Sequence, residues 1–390
     1  MDEQRLQDYT NLLWQILTKT FESNGNPQVV YPLLEANLDK LNENFAQLWR
    51  NWKFVGLTAA VARISDLFRQ FPLGNRSINL EIAITGYEKT LQVYTREAFP
   101  NEWAEIQLSL AETYSKRLCG EQAENLEQTL AYLQRALQVI TREAFPERWA
   151  GIQFVIADIY KKRIRGERAE NIEQAIACME KALKVYIRDA FPERWAIILL
   201  SLADAYHARI RGEKLENQKQ MIACLEGALQ VYIREASPEL WAQLQNFLAS
   251  VYQGHLRGEQ SDNLEQVLAC IQNVLQVINR EASPELWAQI QALLAQALLV
   301  SDYQARRGFS ANNLEMDEQR LQDYLFFLQE VLQATFESNG NPKVVYPLLQ
   351  ENLDKLDDNF AQLLQRWATA IFVREPIDQA LAIAEAIHNF

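Results

Sequence analysis

The chain has 390 residues, 48% hydrophobic and 23% charged, with 38 Lys and Arg against 51 Asp and Glu for a formal net charge of -13. This is the composition of a folded chain rather than a disordered one, and its sign speaks against nucleic acid or an anionic membrane surface as partner, since both call for basic patches. With 13 Gly and 11 Pro the chain is poor in turn residues for a β-rich fold, and no apolar run reaches the ~18 residues of a membrane span.

The first predicted element is a helical module over 1–54. Its opening, Met1-Asp2-Glu3-Gln4-Arg5, is polar and acidic, so it lacks a signal-peptide pattern and the expected compartment is the cytoplasm. A long amphipathic helix leads to a break at Ser23-Asn24-Gly25-Asn26-Pro27, and one or two further helices follow. A diverged helix with Ala62, Ile64, Leu67 and Phe68 then runs toward Gly74.

From here to residue 308 the sequence repeats itself every 46 residues. Proline recurs at Pro100, Pro146, Pro192, Pro238 and Pro284, and tryptophan three positions later at Trp103, Trp149, Trp195, Trp241 and Trp287. Glycine recurs at Gly74, Gly120, Gly166, Gly212 and Gly258, and asparagine at Asn79, Asn125, Asn171, Asn217 and Asn263. A period between 20 and 50 residues marks a stacked-repeat architecture. Each unit reads as two helices. Helix A starts at the proline, which suits a first helical position because its missing amide would be unpaired anyway. It runs through Trp195, Leu199, Leu202, Ala203 and Tyr206 toward the glycine, a natural helix stop. Helix B starts at the asparagine, expected as an N-cap, with Gln128, Gln174, Gln220 and Gln266 three residues on as capping-box partners. Neither helix buries its apolar stripe alone, so the units must stack into an all-α solenoid.

Helix A carries Leu110-Ala111-Glu112-Thr113-Tyr114, Ile156-Ala157-Asp158-Ile159-Tyr160 and Leu202-Ala203-Asp204-Ala205-Tyr206. Helix B carries Ala175-Ile176-Ala177-Cys178-Met179-Glu180-Lys181-Ala182-Leu183. These stretches resemble the helix signatures of tetratricopeptide repeats, with Ala where many such repeats have Gly and with extra residues between the helices. The resemblance implies a right-handed superhelix of helix-turn-helix repeats. The longer unit, with Tyr94-Thr95-Arg96-Glu97-Ala98-Phe99-Pro100 and Arg165-Gly166-Glu167-Arg168-Ala169-Glu170-Asn171, looks like a cyanobacterial subfamily whose members often carry a caspase-like CHAT protease domain. No stretch of this chain reads as such a domain.

The last predicted element, 309–390, begins by copying the first. Met1 to Tyr9 returns as Met316 to Tyr324, Thr20 to Pro27 as Thr335 to Pro342, and Phe45 to Leu48 as Phe360 to Leu363. The two end modules flank the array and are expected to cap it. The second is more acidic, with Asp354, Asp357 and Asp358 clustered. It reads as a solvated end surface or as a docking face for a basic partner. Ile377 to Phe390 resembles a helix A without its glycine or helix B, so the chain is expected to stop within a unit.

The sequence offers no P-loop, no nucleophile elbow and no metalloprotease motif. Cys178, Cys224 and Cys270 share one repeat position and are expected as small core hydrophobes rather than a thiol or metal ladder. The tryptophans are expected to pack between repeats. His207 and His255 fall at different repeat positions and form no common ligand set. No cofactor or metal is expected, and no enzyme activity. Arg117, Arg163, Arg209 and Arg257 near the glycines are explained as helix C-terminal cations. Arg96, Arg142, Arg188, Arg234 and Arg280 are expected to form ion pairs between repeats.

The resemblance implies a concave binding groove whose inner face is lined by helix A. Its candidate residues are Glu112, Lys116, Phe154, Asp158, Lys162, Leu200, Asp204, His207, Ser250 and Gln253. Glu112, Asp158 and Asp204 would form an acidic track beside an apolar one, suited to a basic or amphipathic peptide or protein segment. The leading expectation is a protein-binding scaffold, for which the resemblance implies a regulatory role toward a CHAT-type protease; the alternative is self-association through the duplicated end modules.

Overall fold

The computed structural model describes residues 3–53, 56–254, 261–278, 283–290, 292–294, 297, 323, 327, 331, 342–352 and 356. Among these, all regular secondary structure is α-helical, and the helices pack as adjacent pairs in a repeat solenoid. The chain divides into two compact units, Met1–Asn217 and Gln218–Phe390.

The first unit opens with α1 (Glu3–Glu22), α2 (Pro27–Glu35) and α3 (Glu43–Asn51). The break between α1 and α2 places Asn24 and Gly25 at φ of +56° and +78°, a left-handed turn that Asn and Gly tolerate best. Asn26 then caps α2, its side chain accepting from the Gln28 amide at 3.0 Å. Asn42 caps α3 and is tied back to the Tyr9 hydroxyl of α1. Trp49 of α3 is fully buried against the following repeat, and its Nε1 donates to the Ile82 carbonyl at 2.9 Å. The module thus docks by a large apolar side chain whose one polar atom is satisfied.

Helix pairs follow. They are α4 (Thr58–Gln70) with α5 (Arg76–Thr90), α6 (Pro100–Ser115) with α7 (Gln122–Ala136), and α8 (Pro146–Lys162) with α9 (Arg168–Leu183). Then come α10 (Pro192–Ala208), α11 (Lys214–Leu229), α12 (Pro238–Gly254) and α13 (Ser261–Leu275), with α12 packed on α13. Within the first unit, helix B of one pair also meets helix A of the next: α5 packs on α6, α7 on α8 and α9 on α10. The ladder prolines of α6, α8, α10 and α12 stand at the first helical position, as expected. The alanines after the tryptophans, Ala104, Ala150, Ala196 and Ala242, are almost fully buried, so the helices can approach closely there.

Two details of the loop between helices A and B differ from the sequence reading. The ladder glycines are not helix stops. α6 ends at Ser115 with Lys116 as its cap, and Gly120 lies farther on, inside the loop. Gly74, Gly120, Gly166 and Gly212 all turn the chain at φ between +76° and +82°. Nor are Asn125 and Asn171 N-caps. That position belongs to Glu121 and Glu167, which make no side-chain cap bond. The asparagines sit inside the first turn, buried, and reach back across the loop. Asn125, Asn171 and Asn217 donate from Nδ2 to the carbonyls of Cys119, Arg165 and Arg211 at 2.9, 3.0 and 2.9 Å. The side chain therefore closes the loop rather than satisfying the helix start, while Asn75 is the residue that caps α5. Gln128 and Gln174 bond to Glu124 and Glu170 instead of completing capping boxes.

In the second unit, Pro342–Glu351 is helical and is numbered α14 here. The duplication is visible in what is buried. Leu12, Ile16 and Leu34 of the first module and Phe327, Val331 and Leu349, each 315 residues later, are all buried. Asp354, Asp357, Asp358 and the half-unit 377–390 lie outside the described residues, as do Gly258, Arg257 and Arg280.

Candidate functional site

Helix A has two faces set by its repeat pattern. Leu110, Ala111, Ile156, Ala157, Leu202, Ala203, Leu248 and Ala249 are buried against helix B. The residues one turn round from them face solvent. In the first unit α6, α8 and α10 carry Glu112, Lys116, Phe154, Asp158, Lys162, Leu200, Asp204 and His207. Of these, Phe154, Asp158 and Leu200 are half-buried and the rest exposed. In the second unit α12 carries Ser250, exposed, and Gln253, half-buried.

Neighbouring helices of the A layer are tied across this face by polar side chains. Arg69 of α4 bonds to Glu112 of α6, and Lys116 holds the same carboxylate at 2.7 Å. Glu105 of α6 pairs with Arg148 of α8. Lys161 of α8 reaches Asp204 of α10 and also donates to Ser201 at 3.3 Å. Asp158 is paired with Lys162 at 2.6 Å. In the second unit Asn246 donates to Gln289 at 2.9 Å. All three carboxylates of the expected acidic track are thus matched by cations. Partial burial acts to raise the Glu112 carboxyl, but Lys116 and Arg69 outweigh it and hold it below the usual carboxylate range. Arg69, Glu105 and Arg148 were not singled out, and their signal lies in their separation of 43 residues from the partner, close to one period.

Between these pairs the face is apolar. Val155 is 45% exposed and Ile197 46%, beside the half-buried Phe154 and Leu200. Isolated exposed aliphatics are ordinary on a protein surface; here they share one helical layer with side chains already engaged with each other.

The back of the layer is joined differently. Arg117, Arg163 and Arg209, placed near helix ends as expected, do more than offset the helix dipole. Each grips a glutamate on helix B of the preceding pair: Glu81, Glu127 and Glu173, at 2.6 to 2.8 Å from Nε. Each also stands over the tyrosine three residues earlier, in the last turn of the helix it follows: Tyr114, Tyr160 or Tyr206. Arg257 belongs by its register to a second track, with Arg165 and Arg211, which pair with Glu124 and Glu170 at 2.9 and 2.8 Å. Three of the connector arginines also span the repeats, but to neutral hydrogen-bond acceptors rather than to carboxylates. Arg96 donates to the Gln138 side chain at 2.6 Å, Arg142 to the Lys184 carbonyl at 3.4 Å, and Arg234 to Gln276 at 2.7 Å. These accepting groups lie at the carbonyl end of helix B, where a cation is favoured.

The ladder residues serve packing. Trp103, Trp149, Trp195, Trp241 and Trp287 are all half-buried, and Arg142 lies over the Trp149 ring. Cys178, Cys224 and Cys270 are buried, and burial pushes their thiols up, to about 12 for Cys224 and Cys270. Thiols so shifted are not nucleophiles at neutral pH. Cys119 is exposed, within 2.7 Å of the Ser77 hydroxyl. Among the described residues no three His, Cys, Asp or Glu side chains converge as a metal ligand set, and no helix is long and apolar enough to cross a membrane.

No protein-family model matches the chain, and no curated protein matches it significantly.

Proposed function

We propose that this chain is a non-enzymatic scaffold that binds a protein segment on the exposed face of its A helices, the face that the resemblance assigns to a concave groove. The observation that supports this is the pairing pattern. Because Glu112, Asp158 and Asp204 already hold Arg69, Lys116, Lys162 and Lys161, the face offers little free charge. What it offers is aliphatic surface at Val155 and Ile197. An amphipathic segment fits that better than a strongly basic one, whose cations would have to displace existing ones. The resemblance to CHAT-associated repeats makes a protease of that type, joined in a longer chain or separate, the first partner to try. The test is affinity capture with such a protease and calorimetry on the captured segment. Val155→Asp with Ile197→Asp should weaken binding at least tenfold, whereas Glu112→Gln should change it little. Unaltered binding by the double aspartate variant would overturn the choice of face.

A second reading, self-association through the end modules, has its own support. α1 leaves Leu6, Trp14 and Phe21 exposed, Phe21 at 69%, although a terminal module is expected to present a polar end. Light scattering across a concentration series tests it. A monomer at all concentrations would remove this reading, and loss of a dimer on Trp14→Ser and Phe21→Ser would support it.

A further inference from the structure

Three successive joints in the first unit are latched by one arrangement. Arg117 donates from Nε and Nη2 to the two oxygens of Glu81 at 2.6 and 3.0 Å. Arg163 holds Glu127 at 2.7 and 2.8 Å, and Arg209 holds Glu173 at 2.8 and 2.9 Å. In each, the remaining nitrogen, Nη1, reaches the asparagine eight residues on, at 3.4, 3.3 and 3.2 Å. One guanidinium therefore fastens the A–B loop of its own repeat to helix B of the repeat before. A planar fork and two carboxylate oxygens are both needed for this.

One period beyond Glu173 stands Lys219, within α11, and one period beyond Arg209 stands His255, outside the described residues. Neither half of the latch is kept. An ammonium group has no acceptor to offer, and an imidazole cannot present two parallel donors to one carboxylate. The joint between α11 and α12 keeps other features of the pattern. The Tyr252 hydroxyl donates to Glu226 at 2.6 Å, as that of Tyr114 does to Glu88. The second charge track also persists in sequence, as Glu216 and Arg257. Where the three joints before it carry their bidentate pair, this one has Lys219 and His255.

We propose that the α11–α12 joint is more compliant than the three latched joints before it: tethered midway by Tyr252 and Glu226, unlatched at Lys219, and the first of these four to open. In a stacked array each repeat is held only by its neighbours, so losing one interface contact lowers the local opening free energy without a compensating contact elsewhere. The last turn of α12 gives the readout, against the equivalent turns of α8 and α10.

Amide hydrogen exchange on the full chain tests this. Residues 251–254 should exchange roughly tenfold faster than 159–162 and 205–208, the factor expected for one lost charge-assisted pair. Restoring the latch with Lys219→Glu and His255→Arg should close the gap. Moving the defect, with Glu173→Lys and Arg209→His, should bring fast exchange to 205–208. Equal exchange of the three turns in the unaltered chain would overturn the proposal. So would a folded latch-restored variant with no slowing. If that variant does not fold, unchanged exchange at 205–208 in the transplanted pair overturns it instead.

Discussion

Arg163 holds Glu127 with two hydrogen bonds across the joint between successive repeats, Nε to Oε1 at 2.7 Å and Nη2 to Oε2 at 2.8 Å. Both side chains are about three-quarters covered, so water screens this pair less than the exposed pairs on the A face. Its geometry is also demanding, because a lysine in place of Arg163 keeps the charge but not the fork. Arg163→Lys should therefore destabilise the array by about 1–2 kcal/mol, in the range of a charge-assisted hydrogen bond. Exposed Arg148→Lys, paired with Glu105, should cost no more than about 0.5 kcal/mol. Urea unfolding of both variants checks the contrast; equal costs would mean the bidentate geometry does not matter.

Two glycines of one repeat should respond to alanine with opposite sign. Gly166 turns the A–B loop at φ +78°, where a side chain is strained even though its nearest neighbours, Arg163 and Asn171, stand at an ordinary contact distance of 3.6 Å. Gly166→Ala should cost about 1–2 kcal/mol. Gly151 lies inside α8, and an added Cβ would meet only the Tyr186 hydroxyl, at 3.4 Å. Gly151→Ala should gain about 0.5–1 kcal/mol from helix propensity, provided that hydroxyl gives slightly. Melting temperatures displaced in opposite directions are the expected result.

The latch predicts an acid limb of stability. The hydrogen bonds from Arg163 hold the Glu127 carboxyl below the usual carboxylate range, against a smaller upward effect of burial. A carboxyl lowered in the folded state stabilises above its unfolded value, and that contribution is lost as pH falls through the folded value. Stability should thus decline between roughly pH 5 and 3, and Glu127→Gln should flatten that decline while lowering the plateau above it. Denaturant midpoints across this range measure both. A decline of unchanged slope in the variant would refute the assignment.

Thiol reactivity should separate the cysteines cleanly. Cys119 is exposed, while Cys178, Cys224 and Cys270 are buried with thiols pushed up. A thiol-reactive dye should label one cysteine of the native chain quickly and the others only on unfolding. Cys119→Ser should abolish the fast phase.

The fold was legible because its signals are local and repeated. A proline at the first helical turn, a buried alanine after each tryptophan and a left-handed glycine each act within a few residues. The misreadings come from ambiguity at that same scale. Asn125 looks like an N-cap because asparagine caps helices well, and Asn75 does cap one. Its actual task depends on the loop carbonyl of Cys119, which only the folded loop brings within reach. Likewise Arg117 is adequate as a helix-end cation until the helix beside it is known to present Glu81. The candidate face was harder still. Its acids were plain in the sequence, as were Lys116 and Lys162 four residues after Glu112 and Asp158, but the pairing of Glu112 with Arg69 and of Asp204 with Lys161 comes from a preceding repeat. That pairing follows from how the A helices lie side by side, not from any motif within one of them.

The latch has a consequence for how such a chain can change its length. Its partners are separated by 36 residues, less than the 46 of one unit. Excising one whole unit between Glu127 and Arg209 would leave Arg209 standing 36 residues after Glu127, facing the same glutamate chemistry it meets at Glu173. Inserting a unit would preserve the match equally. Among the latched repeats the number is thus free to drift by whole units, with each surviving boundary already furnished with its counterpart, whereas an insertion of any other length would strand an arginine and a glutamate at once.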